Sequence, residues 1–496
     1  MLNTIIFSNE ITVWWDKQWE LVDDVSYRLL LNGKAVATTT KTHYSFHNLF
    51  PETAYEIKVE RTDGESVAEV LGILHLTTPK EKKRLDVTSY GAVGDGQTLN
   101  TESLQRAIDA CGADECVYFP AGIYMSGALD LHSDMELYLD QGAILQGTAE
   151  VDDYLPRRWG RFEGTELMCY SSLLNMGTLD HTAGPNCRNI VIRGGGAILG
   201  GGTAHCEAVI ESELARLKND PEKSPDDIKD LESNRALLAT VRPRLINISN
   251  CENVVITGLT MGYGASWNVH FIYSRNIVTY DCKIVSHGVW NGDGWDPDSS
   301  ENCVIFNTEF NTGDNSIAIK SGKNLEGIKI GRPSVGIRIF DCHGGKSVGI
   351  GSEMSGGVSN IYIWDCDFTA SVMGLSIKLN HERGGYMRNI VVRNCRFSRI
   401  LARSRYYVEN SQPAKNLSVV EDFLFQNIEL TGSPIVNDGK KHPSEILLLA
   451  GLDEKDHYFN RFTFDGLRIH NRENGEPQKI LIRNTKNLTF KNISFD

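Results

Sequence analysis

At 496 residues the chain is too long for one ordinary domain unless it is a repeat or a large β structure. Its hydrophobic fraction of 41% permits a large core, and it holds no run of 18 apolar residues, so no membrane span is expected. A formal net charge of −14 argues against nucleic acid as a partner, because that binding rests on phosphate neutralisation.

Residues 1–79 read as a small all-β module. Residues 11–15 (ITVWW), 25–31 (VSYRLLL) and 55–59 (YEIKV) are strand-like, and Asn32-Gly33 is a hairpin turn signal. The first residues lack a basic n-region and a small-residue cleavage site, so no secretory signal is expected. A cytoplasmic location is the corresponding expectation, with secretion the alternative for a trimmed chain. The 11 cysteines are odd in number and scattered through strand-like runs, which suits a reducing compartment. They read as buried structural thiols. No CxxC pair is present, and neither a metal nor a cofactor is expected.

Residues 80–84 (KEKKR) form a charged linker, and the second domain runs from 80 to 496. The spacing of Leu104, Ala107 and Ile108 predicts a helix over 101–111 that caps one end of this domain. Strands over 117–122 and 135–139 come next, punctuated by Gly and Pro. From Asn186 a repeat becomes plain. NCRNIVI begins at Asn186, NCENVVI at Asn250, NIVTYDC at Asn276, NIYIWDC at Asn360 and NIVVRNC at Asn389. Short β strands recurring at this period predict an all-β fold, a right-handed parallel β-helix, with Asn and Cys laddered at its turns. Residues 207–238 break the pattern as a helical insertion, interrupted by Pro221 and Pro225. It reads either as a solvated excursion or as a wall that narrows a cleft.

The chemistry concentrates in residues 291–322. Asp293 and Asp314 stand 21 residues apart with a strand-like run between them. In a coil with turns of that length, both carboxylates fall on one face, one rung apart, at about 4.8 Å. Paired carboxylates are what glycosidic bond cleavage needs. Asp293, Asp296, Asp298 and Asp314 together form a crowd of like charge that raises a pKa. Asp298 reads as a turn residue, while Asp296 stays open between function and turn capping. His270 is either a subsite contact or a buried, hydrogen-bonded histidine. Trp267 reads as core, and Trp295 as core or a sugar platform.

Two stretches of the chain resemble known families. Residues 49–55 (LFPETAY) and 77–79 (TTP) resemble the turn and the ending of fibronectin type III domains, which implies a β-sandwich over 1–79. From about 85 onward the chain resembles the polygalacturonase family of glycoside hydrolases (family 28). DVTSYGAVGDG from Asp86 is similar to its opening motif, NGDGWDPD from Asn291 to its N-x-D-G motif, and GDNSIAIKSG from Gly313 to its D-D motif. IGSEMSGG from Ile350 matches the end of its third motif in the form of exo-acting members, and GLSIK from Gly374 aligns with R-I-K.

The resemblance implies inverting hydrolysis of a galacturonosyl linkage, with Asp314 as general acid and Asp293 helping to activate water. Asn315 stands where the family has a second Asp; an amide cannot act as a base but can hold a water. Lys346 or Gly345 fills the histidine position, with His343 nearby, and Ser376 replaces the arginine that would pair with a uronate carboxylate. Lys378 remains, and Lys320, Arg383 and Arg388 offer further charge. The expected substrate contacts are Asn291, Asp296, His270, Lys346, Lys378 and Arg383. The expected function is an exo-acting inverting hydrolase of pectin-derived, uronate-containing oligosaccharides. The alternatives are a divergent glycosidase with another glycone, a carbohydrate-binding β-helix that has lost catalysis and, less favoured, a polysaccharide lyase. Oligomeric state is not legible.

Overall fold

The computed structural model describes residues 1–18, 25–64, 66–404, 414–432, 436–437, 440–441, 444–452, 457–470, 472–473 and 476–496. Met1–Arg84 and Leu85–Asp496 form two compact units. In the first, a three-stranded antiparallel sheet (Leu2–Ile6, Glu10–Trp15, His43–His47) and a four-stranded one (Ser26–Leu31, Lys34–Thr39, Ala54–Asp63, Ser66–Thr77) make a sandwich. Ile11, Val13, Trp15, Leu29, Ile57 and Val59 from both sheets share one core. The Asn32-Gly33 turn has positive φ at both residues, 50° and 75°, as a two-residue hairpin turn of this kind requires. Phe50 N–H donates to the Tyr55 hydroxyl at 2.9 Å, tying the chain entry to the strand.

The second unit is a parallel β-helix. Successive turns of chain add parallel strands to a long sheet, of 21 strands among the described residues, and to a second sheet of 11. The repeated sequence accounts for both the turns and the stacking. Asn189, Asn253, Asn276 and Asn302 all have φ near +55° to +58°, a conformation asparagine tolerates. Their amides chain from rung to rung: Asn253 donates to Asn189 at 3.0 Å, Asn276 to Asn253 at 3.0 Å and Asn302 to Asn276 at 3.4 Å. Tyr280, Phe306, Phe340 and Trp364 stack with ring centroids 4.9, 4.8 and 4.3 Å apart, close to the rung spacing. All 11 cysteines are free and buried.

The first helix spans Thr101–Asp109, and its Leu104, Ala107 and Ile108 join the β-helix core. The insertion forms three helices, Gly202–Lys218, Pro225–Ser233 and Arg235–Leu238. Pro225 does not interrupt a helix but starts one. It occupies the first helical position behind Ser224, whose hydroxyl accepts from Asp227 N–H at 3.2 Å while Asp227 Oδ2 accepts from Ser224 N–H at 2.9 Å. The insertion buries Cys206, Ile210 and Leu214 against Leu238, Ala239 and Ala265.

Candidate active site

Five strands of the 11-stranded sheet carry the site: β1 Val269–Ile272, β2 Trp295–Asp298, β3 Ile317–Ile319, β4 Ser347–Ile350 and β5 Gly374–Lys378. Their register decides which side chains meet. His270 stands opposite Asp296, Trp295 opposite Ile317, Asp298 opposite Lys320, and Gly349 opposite Ser376. The step from 295 to 317 is 22 residues, not 21, so Asp293 faces Asn315. Asp314 lies one residue earlier, in the bend that leads into β3. The two carboxylates are thus offset along the chain as well as across the rung. That sets their backbones roughly 6 Å apart from strand geometry and leaves side-chain directions to open the gap further. Gly294 permits the approach, since a Cβ there would meet Ser316 O at 2.4 Å.

Above these strands lies a cavity of about 410 Å³. Of the residues singled out from sequence, Asn291, Asp293, Asp314, Asn315, Lys378 and Arg383 line it. Asp293 is placed through its carbonyl, which accepts from Asn268 N–H at 2.9 Å and Asn268 Nδ2 at 2.7 Å. Its Oδ2 takes Lys320 Nζ at 3.2 Å and Asn315 Nδ2 at 3.4 Å. Burial, with Asp314 adding like charge, pushes Asp293 up to about 6 against the opposing pull of Lys320. Asn315 Oδ1 accepts from Ser347 Oγ at 2.8 Å and Lys378 Nζ at 3.4 Å.

Asp296, His270 and Lys346 do not line the cavity. Asp296 and His270 are fully buried: the pleat that sends Val269, Phe271 and Trp295 into the core turns them to the outer face, where Lys320 lies against Asp296 and Trp267 against His270. Asp296 Oδ2 lies 3.3 Å from Lys320 Nζ, and burial drives its pKa well up. His270 Nε2 faces Asp298 Oδ2 at 3.4 Å, and burial pushes the imidazole down to about 3, leaving it neutral. Lys346 reaches back over the bend before Asp314, where Nζ donates to Gly313 O. His343 is exposed on the other sheet, in strand Ser334–Gly344, as is Arg388 in Tyr386–Phe397.

Lys320, expected as further charge, and Trp267, expected as core, both line the cavity, and two glutamates there were not read from sequence. Lys320 sits between Asp293 and Asp296 with Nζ 3.7 Å above the Trp267 ring, which also stacks on Phe162 at 4.6 Å. Trp267 therefore floors the cavity, while Trp295 is core, its indole N–H bound to Thr279 Oγ1 at 3.0 Å. Two glutamates join the wall. Burial drives Glu163 up, aided by Glu353, whereas Lys320 and Arg383 outweigh burial and hold Glu353 low. Glu163 is at the tip of a hairpin, Arg158–Phe162 with Thr165–Cys169, and its turn pair Glu163-Gly164 has positive φ at both positions. The Glu-Gly pair between two alternating segments was the signal available for that hairpin. Arg161 anchors the hairpin with a buried pair to Asp298 at 3.0 Å. Arg161 and His270 outweigh burial and keep Asp298 ionised.

Among the described residues, none of 202–238 lines the cavity; the insertion acts through the segment that comes after it. Arg242 donates to Trp290 O at 2.9 Å and to Asn291 Oδ1 at 2.7 Å, fixing the edge of the rim.

The chain is a parallel β-helix that gathers carboxylates and lysines in one cavity. The sequence model of the glycosyl hydrolases of family 28 matches residues 162–438, and the chain belongs to that family; it is a glycoside hydrolase. A second model, rhamnogalacturonase A/epimerase, pectate lyase-like, matches residues 85–150. The exo-poly-alpha-D-galacturonosidase of Dickeya chrysanthemi is 28% identical over 94% of this chain and 79% of its own length. The family 28 exopolygalacturonase of Yersinia enterocolitica shares the fold with a TM-score of 0.81 at 22% identity, over 99% of this chain and 96% of that one. The exopolygalacturonase of Thermotoga maritima superposes with a TM-score of 0.67 at 26% identity, over 84% of this chain and 92% of that one.

Proposed function

We propose that this chain is an exo-acting, inverting galacturonidase that removes uronosyl residues from the ends of pectin-derived oligosaccharides. The observation that carries this reading is the pairing of Asp293 and Asp314 on consecutive rungs, facing one cavity with Lys378 and Arg383. Asp314, half-buried at the cavity, is the acid that protonates the departing oxygen. Asp293, with Lys320 beside it, is the carboxylate that takes a proton from the attacking water. Inversion needs carboxyl groups roughly 6.5–9.5 Å apart so that a water fits between base and sugar. Asn315 is no base; its Nδ2 donates to Asp293 and its Oδ1 accepts from Lys378, so it holds both in place. Lys378, Arg383 and Lys323 give the cavity the positive charge that a uronate carboxylate requires.

A second reading, a family member with a different glycone, is favoured by one observation. Ser376 is buried, and its hydroxyl has no hydrogen-bond partner among the described residues. No forked cation occupies that position.

Product analysis separates these readings. The chain and its Asn315→Asp variant are incubated with saturated and unsaturated oligogalacturonides and with rhamnogalacturonan fragments. Release of monosaccharide from chain ends, with inverted anomeric configuration and no rise in ultraviolet absorbance, is the expected result. An absorbance rise would indicate β-elimination instead. Failure on every uronate substrate would remove the galacturonidase assignment in favour of another glycone or of binding alone.

A further inference from the structure

Two fully buried groups under the cavity floor lack partners that their chemistry requires. His270 Nε2 faces Asp298, so in the neutral ring Nε2 carries the hydrogen and Nδ1 is an acceptor. That Nδ1 has no hydrogen-bond partner among the described residues. On the next rung, directly in register, stands Asp296, whose two oxygens also have none. Its one polar contact is the ion-pair distance of 3.3 Å to Lys320 Nζ. A buried carboxylate whose one cation is shared with a second carboxylate is among the costlier arrangements in a protein interior. A carboxylic acid would instead supply the donor that His270 Nδ1 needs. In-register side chains on parallel strands stand about 4.8 Å apart, a span closed by a small side-chain rotation or by one bridging water.

We propose that Asp296 is held as the neutral acid, its O–H directed to His270 Nδ1, and that it is a positioning residue for Asp293. The proposal rests on the reading of Asp293 as the base. Lys320 carries one positive charge between two carboxyl groups, 3.2 Å from Asp293 and 3.3 Å from Asp296. Were both ionised, they would divide that charge and leave a net negative cluster in a dry site. With Asp296 neutral, Lys320 serves Asp293 alone and keeps it ionised and oriented toward the cavity.

The surrounding groups agree with this assignment. Facing Asp296 are Lys320 and Asp293, then Glu353 from the cavity wall, Asp298 on its own strand, and His270 with Arg244 behind it. Arg161 is committed to Asp298, and Lys378 and Asp314 act on Asp293 from the far side. No cation other than Lys320 is within ion-pair distance of Asp296 among the described residues. Burial raises both carboxyls; Asp293 has two donors against it, Lys320 and Asn315, where Asp296 has Lys320 alone.

The test is the pH profile of kcat/KM for Asp296→Asn on an oligogalacturonide, beside the wild type. Asparagine imitates the neutral acid in shape and charge. The acid limb set by Asp293 is expected to stay within about 0.3 pH unit, a twofold change in rate below the limb. Were Asp296 ionised in the wild type, its removal would release Lys320 to Asp293. The limb would then move down by about one unit, tenfold below the limb, and the proposal would fall. A second measurement does not depend on the variant folding or on turnover. Infrared spectroscopy of the wild type at pH 8 is expected to show a protonated carboxylic C=O band, shifted in D2O and lost in Asp296→Asn where that variant folds. Absence of the band in the wild type overturns the proposal. A band without any hydrolysis of uronate substrates leaves Asp296 neutral and overturns only the functional reading.

Discussion

Asn315 and Asp293 face each other across one rung, Nδ2 to Oδ2 at 3.4 Å, while Asn315 Oδ1 accepts from Ser347 at 2.8 Å and from Lys378 at 3.4 Å. The amide is oriented from both sides, as a donor to a carboxylate and an acceptor from a hydroxyl and an ammonium. A carboxylate at 315 would keep the second set and turn the first into a like-charge contact. Asn315→Asp is therefore expected to tighten proton binding at Asp293 and to raise the acid limb of kcat/KM by about one pH unit. The profile is measured on a short oligogalacturonide. A curve that superimposes on the wild type's would remove Asp293 as the titrating base.

Asp293 itself is a site where function is kept at a cost in stability. Burial pushes it up to about 6, whereas an unfolded chain would have it at about 3.9. The folded state binds this proton more tightly, so stability falls as pH rises from about 4 to about 6 and stays lower above that. A shift of about two units corresponds to on the order of 3 kcal/mol. Asp293→Asn is expected to unfold at a higher temperature than the wild type at pH 7.5, with the difference closing below about pH 4, and to lose roughly 10²–10⁴ in kcat. Calorimetry at the two pH values decides, and equal melting at pH 7.5 would contradict the buried-charge account.

The β-helix was legible because its cause is repeated in the sequence. Asn189, Asn253 and Asn276 recur in one motif, and the same side chain both tolerates the turn and bonds to its copy on the next rung. The acidic motifs were legible for the same reason, being tied to a rung. The register was not. One residue of difference between neighbouring rungs moves Asp293 from Asp314 to Asn315, and spacing along the chain cannot resolve that. Nor could sequence tell an inward from an under-floor position, so His270 and Asp296 were expected in the cavity and lie beneath it. Glu163 and Arg161 come from a hairpin more than a hundred residues before the motifs they meet, and that contact is tertiary.

Lys320 is the cation on which the floor depends. It is buried between Asp293 and Asp296 and held against the face of Trp267, and those carboxylates with Glu353 raise its pKa over the opposing effect of burial. Lys320→Met keeps the stem and removes the charge. Asp293 then loses the group that favours its ionised form, and its pKa rises. Activity is expected to fall roughly 10²-fold at pH 5–6, as for loss of a base in its working form, and to recover in part above pH 8. An equal loss at every pH would mean that Lys320 acts on substrate rather than on Asp293.

Arg161 and Asp298 form a pair in which both side chains are wholly out of solvent, 3.0 Å apart, and Arg161 donates also to Ser299 Oγ at 3.0 Å. This pair joins the Glu163 hairpin to the strand beneath the cavity. Removing one member of such a pair strands the other charge and costs about 3–5 kcal/mol. Arg161→Met is expected to destabilise the fold by that amount, and Asp298→Asn by less, since an amide is neutral and still accepts from the guanidinium. The functional consequence differs from the structural one. Asp298 lies five residues beyond Asp293 on the same rung, but the hairpin bears on the cavity through Glu163, so loosening it displaces Glu163 and the wall it forms more than the chemistry. KM on an oligogalacturonide is expected to rise about tenfold while kcat changes less than about threefold, as for loss of binding made equally in ground and transition states. Steady-state kinetics at a temperature well below the variant's melting point separate the two effects. A fall in kcat with KM unchanged would place the hairpin with the catalytic carboxylates instead of with the pocket wall.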